Sequence, residues 1–142
     1  MPDESELTNC DPGHWAIDKF YTKFALTLKM NKMKVEQIYT GCLAQGAYYI
    51  ESNGEAAIID PLREVAPYIQ KAQRNNATIK YVFETHFHAD FVSGHLDLSK
   101  KTGAPIVYGP NAHPAFESII ATDGQEFKIG DLTLKVLHTP GH

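Results

Sequence analysis

Residues 81–90 read Tyr81-Val82-Phe83-Glu84-Thr85-His86-Phe87-His88-Ala89-Asp90, and this run decides what the chain can be. The stretch 79–83 (IKYVF) is apolar, β-branched and aromatic, which predicts a strand. It leads straight into His86, His88 and Asp90 at alternate positions. On extended backbone a period of two sends all three side chains to one side. The loop just past a strand end is also where sites collect in α/β proteins. Two imidazoles and a carboxylate converging there suit a divalent transition metal, with nitrogen from neutral histidine and negative charge from aspartate. A second element closes the sequence as His138-Thr139-Pro140-Gly141-His142. A histidine held on a Thr-Pro-Gly turn has little freedom, so little ordering entropy is lost when it takes a ligand position.

Working outward, residues 35–39 and 46–51 read as strands, and Asn53-Gly54 between 46–51 and 56–59 signals a type I′ hairpin. Residues 64–74 predict a helix with Val65, Tyr68, Ile69 and Ala72 on one face. A second helix is expected over 91–101, closed by Gly103, followed by a strand at 105–108. Residues 124–137 predict a hairpin turning at Gly130-Asp131. Hairpins mixed with βαβ units make the class α/β (α+β) with a mixed sheet. Residues 1–32 read as a leader, polar up to residue 13 and with a short helix expected in 15–30; residues 33–142 form the domain proper.

Composition narrows the function. The chain has 142 residues, 43% of them hydrophobic, and a formal net charge of −4 without a lysine- or arginine-rich run, which excludes a phosphate-tracking nucleic-acid surface. Its apolar runs fall far short of the ~20 residues that span a bilayer, so no membrane partner is expected. Two cysteines, Cys10 and Cys42, make neither a disulfide framework nor a CxxC pair, and the acidic opening MPDESELTNC is no signal peptide. A cytoplasmic setting is expected. Cys42 reads as a small hydrophobe near the sheet, Asp60 as a structural hydrogen-bonding residue, His95 as a surface or packing histidine, and His113 as a loop histidine. His138 is expected to point away from His142.

The motifs AIIDP (57–61), THFHAD (85–90) and HTPGH (138–142) resemble the metallo-β-lactamase superfamily, over roughly residues 34–142. The run 84–98, ETHFHADFVSGHLDL, is similar in wording to the persulfide dioxygenase branch, with glyoxalase II a neighbouring branch. The resemblance implies the N-terminal half of an αββα sandwich, with the C-terminal half beyond this sequence. That half-domain is expected to self-associate or to pair with the other half, because strand faces such as Ile58, Val82 and Ile106 would lack their cover.

The resemblance also implies the chemistry. Superfamily members with two metals carry a histidine after the motif aspartate, where this sequence has Phe91. That departure implies one metal per chain, Fe(II), with zinc as the alternative. His86 and His142 match the iron ligands. His88 is a further candidate ligand, and Asp90 is the candidate catalytic residue of the motif. The implied reaction is oxidation of glutathione persulfide by O2 to sulfite. Alternatives are a zinc hydrolase of the glyoxalase II or lactamase type, and a non-catalytic half-domain. Residues 1–142 by themselves are expected to be inactive as a dioxygenase.

Overall fold

The computed structural model describes residues 33–41 and 44–141. The chain divides into Met1–Met30 and Asn31–His142, and the described residues belong to the second unit. The leader and its expected helix, Cys42 and His142 therefore lie outside the described residues.

Among the described residues, eight strands and two helices follow one another as β1 (Lys34–Thr40), β2 (Gln45–Ser52), β3 (Glu55–Ile59), α1 (Ala66–Arg74), β4 (Thr78–Glu84), α2 (His95–Thr102), β5 (Ile106–Tyr108), β6 (Ile119–Ile120), β7 (Glu126–Ile129) and β8 (Leu132–Lys135). The first six form one sheet in sequence order. β1, β2 and β3 pair antiparallel, and the β2–β3 turn places Asn53 at φ 46° and Gly54 at φ 77°, as the Asn-Gly signal requires. From β3 onward the pairing is parallel. Each of the first two parallel steps is bridged by a helix, since a parallel connection must recross the sheet. β7 and β8 form a separate hairpin turning at Gly130 and Asp131.

β4 sorts the core into two faces, and a register shift against Ala56 and Ala57 interrupts its period-two alternation so that Ile79 and Val82 share one of them. Ile79 and Val82 join Ala47, Tyr49, Ala56 and Ile58 beneath Val65, Tyr68 and Ala72 of the α1 region and Leu98 of α2. Tyr81 and Phe83 face the other way, onto Phe127, Leu134 and Val136 of the hairpin. Phe127 meets both rings edge-on at 5.2 Å. The sequence placed Ile58, Val82 and Ile106 on a face without cover, and the structure corrects this. All three are buried, and residues of both helices pack over Ile58 and Val82.

A second correction concerns α2, which starts at His95 rather than 91. The preceding residues are held by other partners: Ser93 bridges to Leu62, and the Gly94 N–H donates to the Pro61 carbonyl at 2.9 Å. The short strand β6, unread in the sequence, is two residues long and pairs with β5. Gly103 closes α2 in the left-handed region, as expected.

Gly94 allows the start of α2 to lie directly on the segment after β3. A Cβ built there would sit 2.2 Å from the Leu62 carbonyl oxygen and 2.6 Å from Val65 Cγ1. Gly94→Ala is therefore expected to destabilise the fold by about 1–3 kcal/mol, the usual cost of overpacking. Urea unfolding checks this, and an unchanged midpoint would show that the contact is loose.

Candidate metal centre

β3 and β4 both end at the same edge of the parallel part of the sheet, where ligand sites form in such folds. Asp60 follows β3 directly. Glu84 closes β4, and the histidine motif follows it. After Glu84 the backbone leaves the extended conformation, so the alternation that would put His86, His88 and Asp90 on one side breaks down. His86 and Asp90 line an open cavity of about 1100 Å3, together with Phe83, Tyr108, Lys135 and His138. His88 does not. Its side chain is 7% exposed and lies against Asp60 and Glu84, with its ring 4.1 Å from that of His86. His138 lines the cavity, and His142, from which it was expected to point away, lies outside the described residues. His95 packs against Phe116 at 5.1 Å and is a packing histidine. His113 is an exposed loop residue.

Asp60 organises the loop. Its backbone adopts φ 49°, a left-handed conformation that aspartate tolerates better than most residues. That turn is held by the Asp60 N–H donating to the Phe83 carbonyl at 2.9 Å, and by buried Gln45 donating from Nε2 to the Asp60 carbonyl at 2.7 Å. The carboxylate then accepts twice from Thr85: from the backbone N–H at 2.8 Å and from the hydroxyl at 2.7 Å. The structural hydrogen-bonding role read for Asp60 is what the structure shows.

His86 provides a test of whether this site suits a metal. Thr85 Oγ1 lies 2.9 Å from His86 Nδ1. The single hydroxyl hydrogen goes to Asp60, so Oγ1 accepts from Nδ1–H. A hydroxyl held against one ring nitrogen is the kind of support found around metal-bound histidines. The donors on the cavity wall, an imidazole and the Asp90 carboxylate, are of the right kind. Ligand atoms of Asp60, Glu84 and His88 also lie within 4.8 Å of one another.

At the cavity sits a buried polar cluster around Glu84 that the sequence reading did not identify. Glu84 is 3% exposed, and burial pushes its carboxyl up to about 8, with the nearby Asp60 charge adding to the shift. The hydrogen bonds agree. Ser93 has one hydroxyl hydrogen, yet Oγ lies 2.6 Å from Glu84 Oε1 and 3.1 Å from the Pro61 carbonyl oxygen. Both contacts are hydrogen bonds when Glu84 is protonated and donates to Ser93, which donates in turn to Pro61. Tyr108, stacked under Phe87 at 4.8 Å, has its phenol pushed up to about 12 by burial and by the charges of Glu84 and Asp60.

Residues 40–142 match the metallo-beta-lactamase superfamily. The chain belongs to this superfamily. Among individual proteins it resembles the hydroxyacylglutathione hydrolase of Rhizobium etli, 39% identical over 95 residues, which are 65% of this chain and 36% of that protein. It thus spans about a third of the length of this curated relative. Two crystal structures share the fold: a metallo-beta-lactamase from Staphylococcus aureus and ETHE1 from Myxococcus xanthus. The first is 38% identical with a TM-score of 0.69, covering 79% of this chain and 36% of that one. The second is 28% identical with a TM-score of 0.69, covering 77% and 49%. Superfamily members are metal-dependent enzymes. No helix among the described residues is long and apolar enough to cross a membrane.

Glu84 makes a pH signature. In the metal-free fold it keeps a proton that the unfolded chain releases near the ordinary 4.5. Between about pH 5 and pH 8 the folded state therefore binds more protons, and this group's contribution to stability falls as pH rises. Glu84→Gln carries the neutral shape at every pH and should flatten that part of the slope. Urea midpoints of both chains across this window check it; parallel slopes would mean that Glu84 is ionised in the fold.

Proposed function

We propose that the protein is an enzyme that uses a single metal ion to act at the sulfur end of a glutathione conjugate. The observation that carries this reading is Phe91. It occupies the position after the motif aspartate and packs its ring 4.4 Å from that of His88. A phenyl ring cannot coordinate, so the second ligand set is incomplete.

Of the reactions open to such a site, hydrolysis of a hydroxyacylglutathione thioester has the broader support, because curated relatives carry the name hydroxyacylglutathione hydrolase. This favours the hydrolase alternative over the persulfide oxidation that the sequence wording suggested. Persulfide oxidation with Fe(II) and O2 stands as the second reading, supported by Phe91 together with the run 84–98.

In either case His86 and Asp90 on the cavity wall, with His88 beneath, are the residues that would hold the metal; His142 is assigned with them from its motif. The metal supplies Lewis-acid activation, or oxygen chemistry where it is iron. The rest falls to this chain's own side chains. The Phe87–Tyr108 stack gives the cavity an apolar flank. The Tyr108 phenol keeps its proton and can donate. Pairing of this half-domain with a further half or a second copy belongs to the same proposal, since Phe87 and Leu137 on the cavity wall are exposed. So does a cytoplasmic setting.

The test measures both reactions on one anaerobic preparation of the protein bearing this domain, with elemental analysis alongside. About one metal ion per chain and thioester cleavage are expected; oxygen uptake with glutathione persulfide and no cleavage would establish the second reading. Two zinc ions per chain would overturn the single-metal proposal. Phe91→His should raise zinc stoichiometry toward two, because it restores an imidazole beside Asp90.

A further inference from the structure

Beyond β8 the chain runs along the cavity as one wall, residues 134–141, while Tyr108, Gly109 and Pro110 at the end of β5 line another part of it. The turn between β6 and β7 touches both. We propose that Asp123 is a positioning residue that ties the 134–141 wall to the end of β5 through this turn, and so fixes how wide the cavity opens to a substrate. The tie rests on hydrogen bonds alone; its effect on turnover rests on the proposed reaction.

The turn is anchored first to β5. β6 pairs with Val107 and Tyr108, and the Ala121 N–H extends that pairing by donating to the Tyr108 carbonyl at 2.8 Å. The chain then reverses over Thr122–Gln125. The Gln125 N–H donates to the Thr122 carbonyl at 3.1 Å, and Gly124 stands at φ 78°, the left-handed value that a type II turn requires of its third residue. The Thr122 N–H donates to Gln125 Oε1 at 2.9 Å, so the turn is closed from both ends.

The second anchor is on the wall. The β7–β8 ladder runs as far as Glu126 and Lys135. One step beyond it, Gly124 and Gln125 together face Val136: the Gly124 N–H donates to the Val136 carbonyl, and the Val136 N–H donates to the Gln125 carbonyl, both at 2.8 Å. Two residues against one, with a left-handed glycine first, is a bulge, a device that re-aims a strand or ends its pairing. On extended backbone the next N–H on the same edge belongs to His138. The bulge has by then turned the main chain away, and the Asp123 side chain stands in for the ladder carbonyl, with Oδ1 accepting from the His138 N–H at 2.8 Å. The residue after that on this edge is Pro140, which has no N–H to offer. Asp123 is therefore the last tie on this edge among the described residues, and the end of the wall hangs from it.

Amide hydrogen exchange, read by NMR on the 15N-labelled, metal-free protein bearing this domain, tests the tie directly. Asp123→Ala should speed exchange at His138 about tenfold, the worth of one hydrogen bond to a charged acceptor, and leave Val136 unchanged. Asp123→Asn keeps an accepting oxygen and should restore His138. Gly124→Ala has room for its Cβ, with Lys135 Cε at 3.8 Å, so its strain is conformational, and it should speed both amides.

Steady-state hydrolysis of a hydroxyacylglutathione thioester by the metal-loaded protein then reads the cavity. A wall that touches substrate is felt in binding, so Asp123→Ala should raise KM about tenfold with a smaller change in kcat, and Asp123→Asn should keep the wild-type values. A His138 amide unmoved by Asp123→Ala, a defect that Asp123→Asn shares, or an unchanged KM alongside faster exchange would overturn the proposal. Faster exchange at His138 in a protein whose wild type cleaves no such thioester would uphold the tie and count against the hydrolase reading instead.

Discussion

The carboxylate of Asp60 is the constraint on which the site depends. It sits where β3 ends, 25 residues before Thr85, and joins the two strand ends that the parallel pairing brings together. Without it the loop after β4 would have no reason to leave the strand direction at Thr85. The backbone around it is strained in a way that aspartate bears better than most residues, and the strain is offset by hydrogen bonds to Phe83 and Gln45. Residues far from the motif in sequence therefore decide how the motif is presented.

The same region shows how polar groups are kept inside a fold. Glu84 is buried at the cavity with His95 beside it, and Ser93 links Glu84 to the Pro61 carbonyl that also receives the Gly94 N–H. Burying a carboxylate without a cation is costly, and the fold meets this by keeping the group protonated and hydrogen-bonded. The cluster ties the start of α2 to the segment after β3. It couples helix packing, which is apolar and non-specific, to the orientation of the motif loop, which must be specific.

Much of the architecture was legible in the residues. The Asn53-Gly54 turn, the Val65/Tyr68/Ala72 helix face, the Gly103 cap and the Gly130-Asp131 hairpin all occur where local chemistry puts them. The misplaced start of α2 has a tertiary cause, since Ser93 and Gly94 are claimed by Leu62 and Pro61 before a helix can use them. Strand β6, two residues long, carries too little pattern to be read.

The sequence by itself determined the family, the strand-then-loop placement of THFHAD and the loss of an imidazole at Phe91, because each is a matter of residue type at a fixed spacing. The tertiary structure decided which way the motif side chains face. Period-two reasoning holds only while the backbone stays extended, and at Thr85 hydrogen bonds to Asp60 end that. Hence His86 and Asp90 reach the cavity while His88 turns under it. The buried state of Glu84 and the arrival of His138 at the cavity wall are likewise set by groups that only folding brings together.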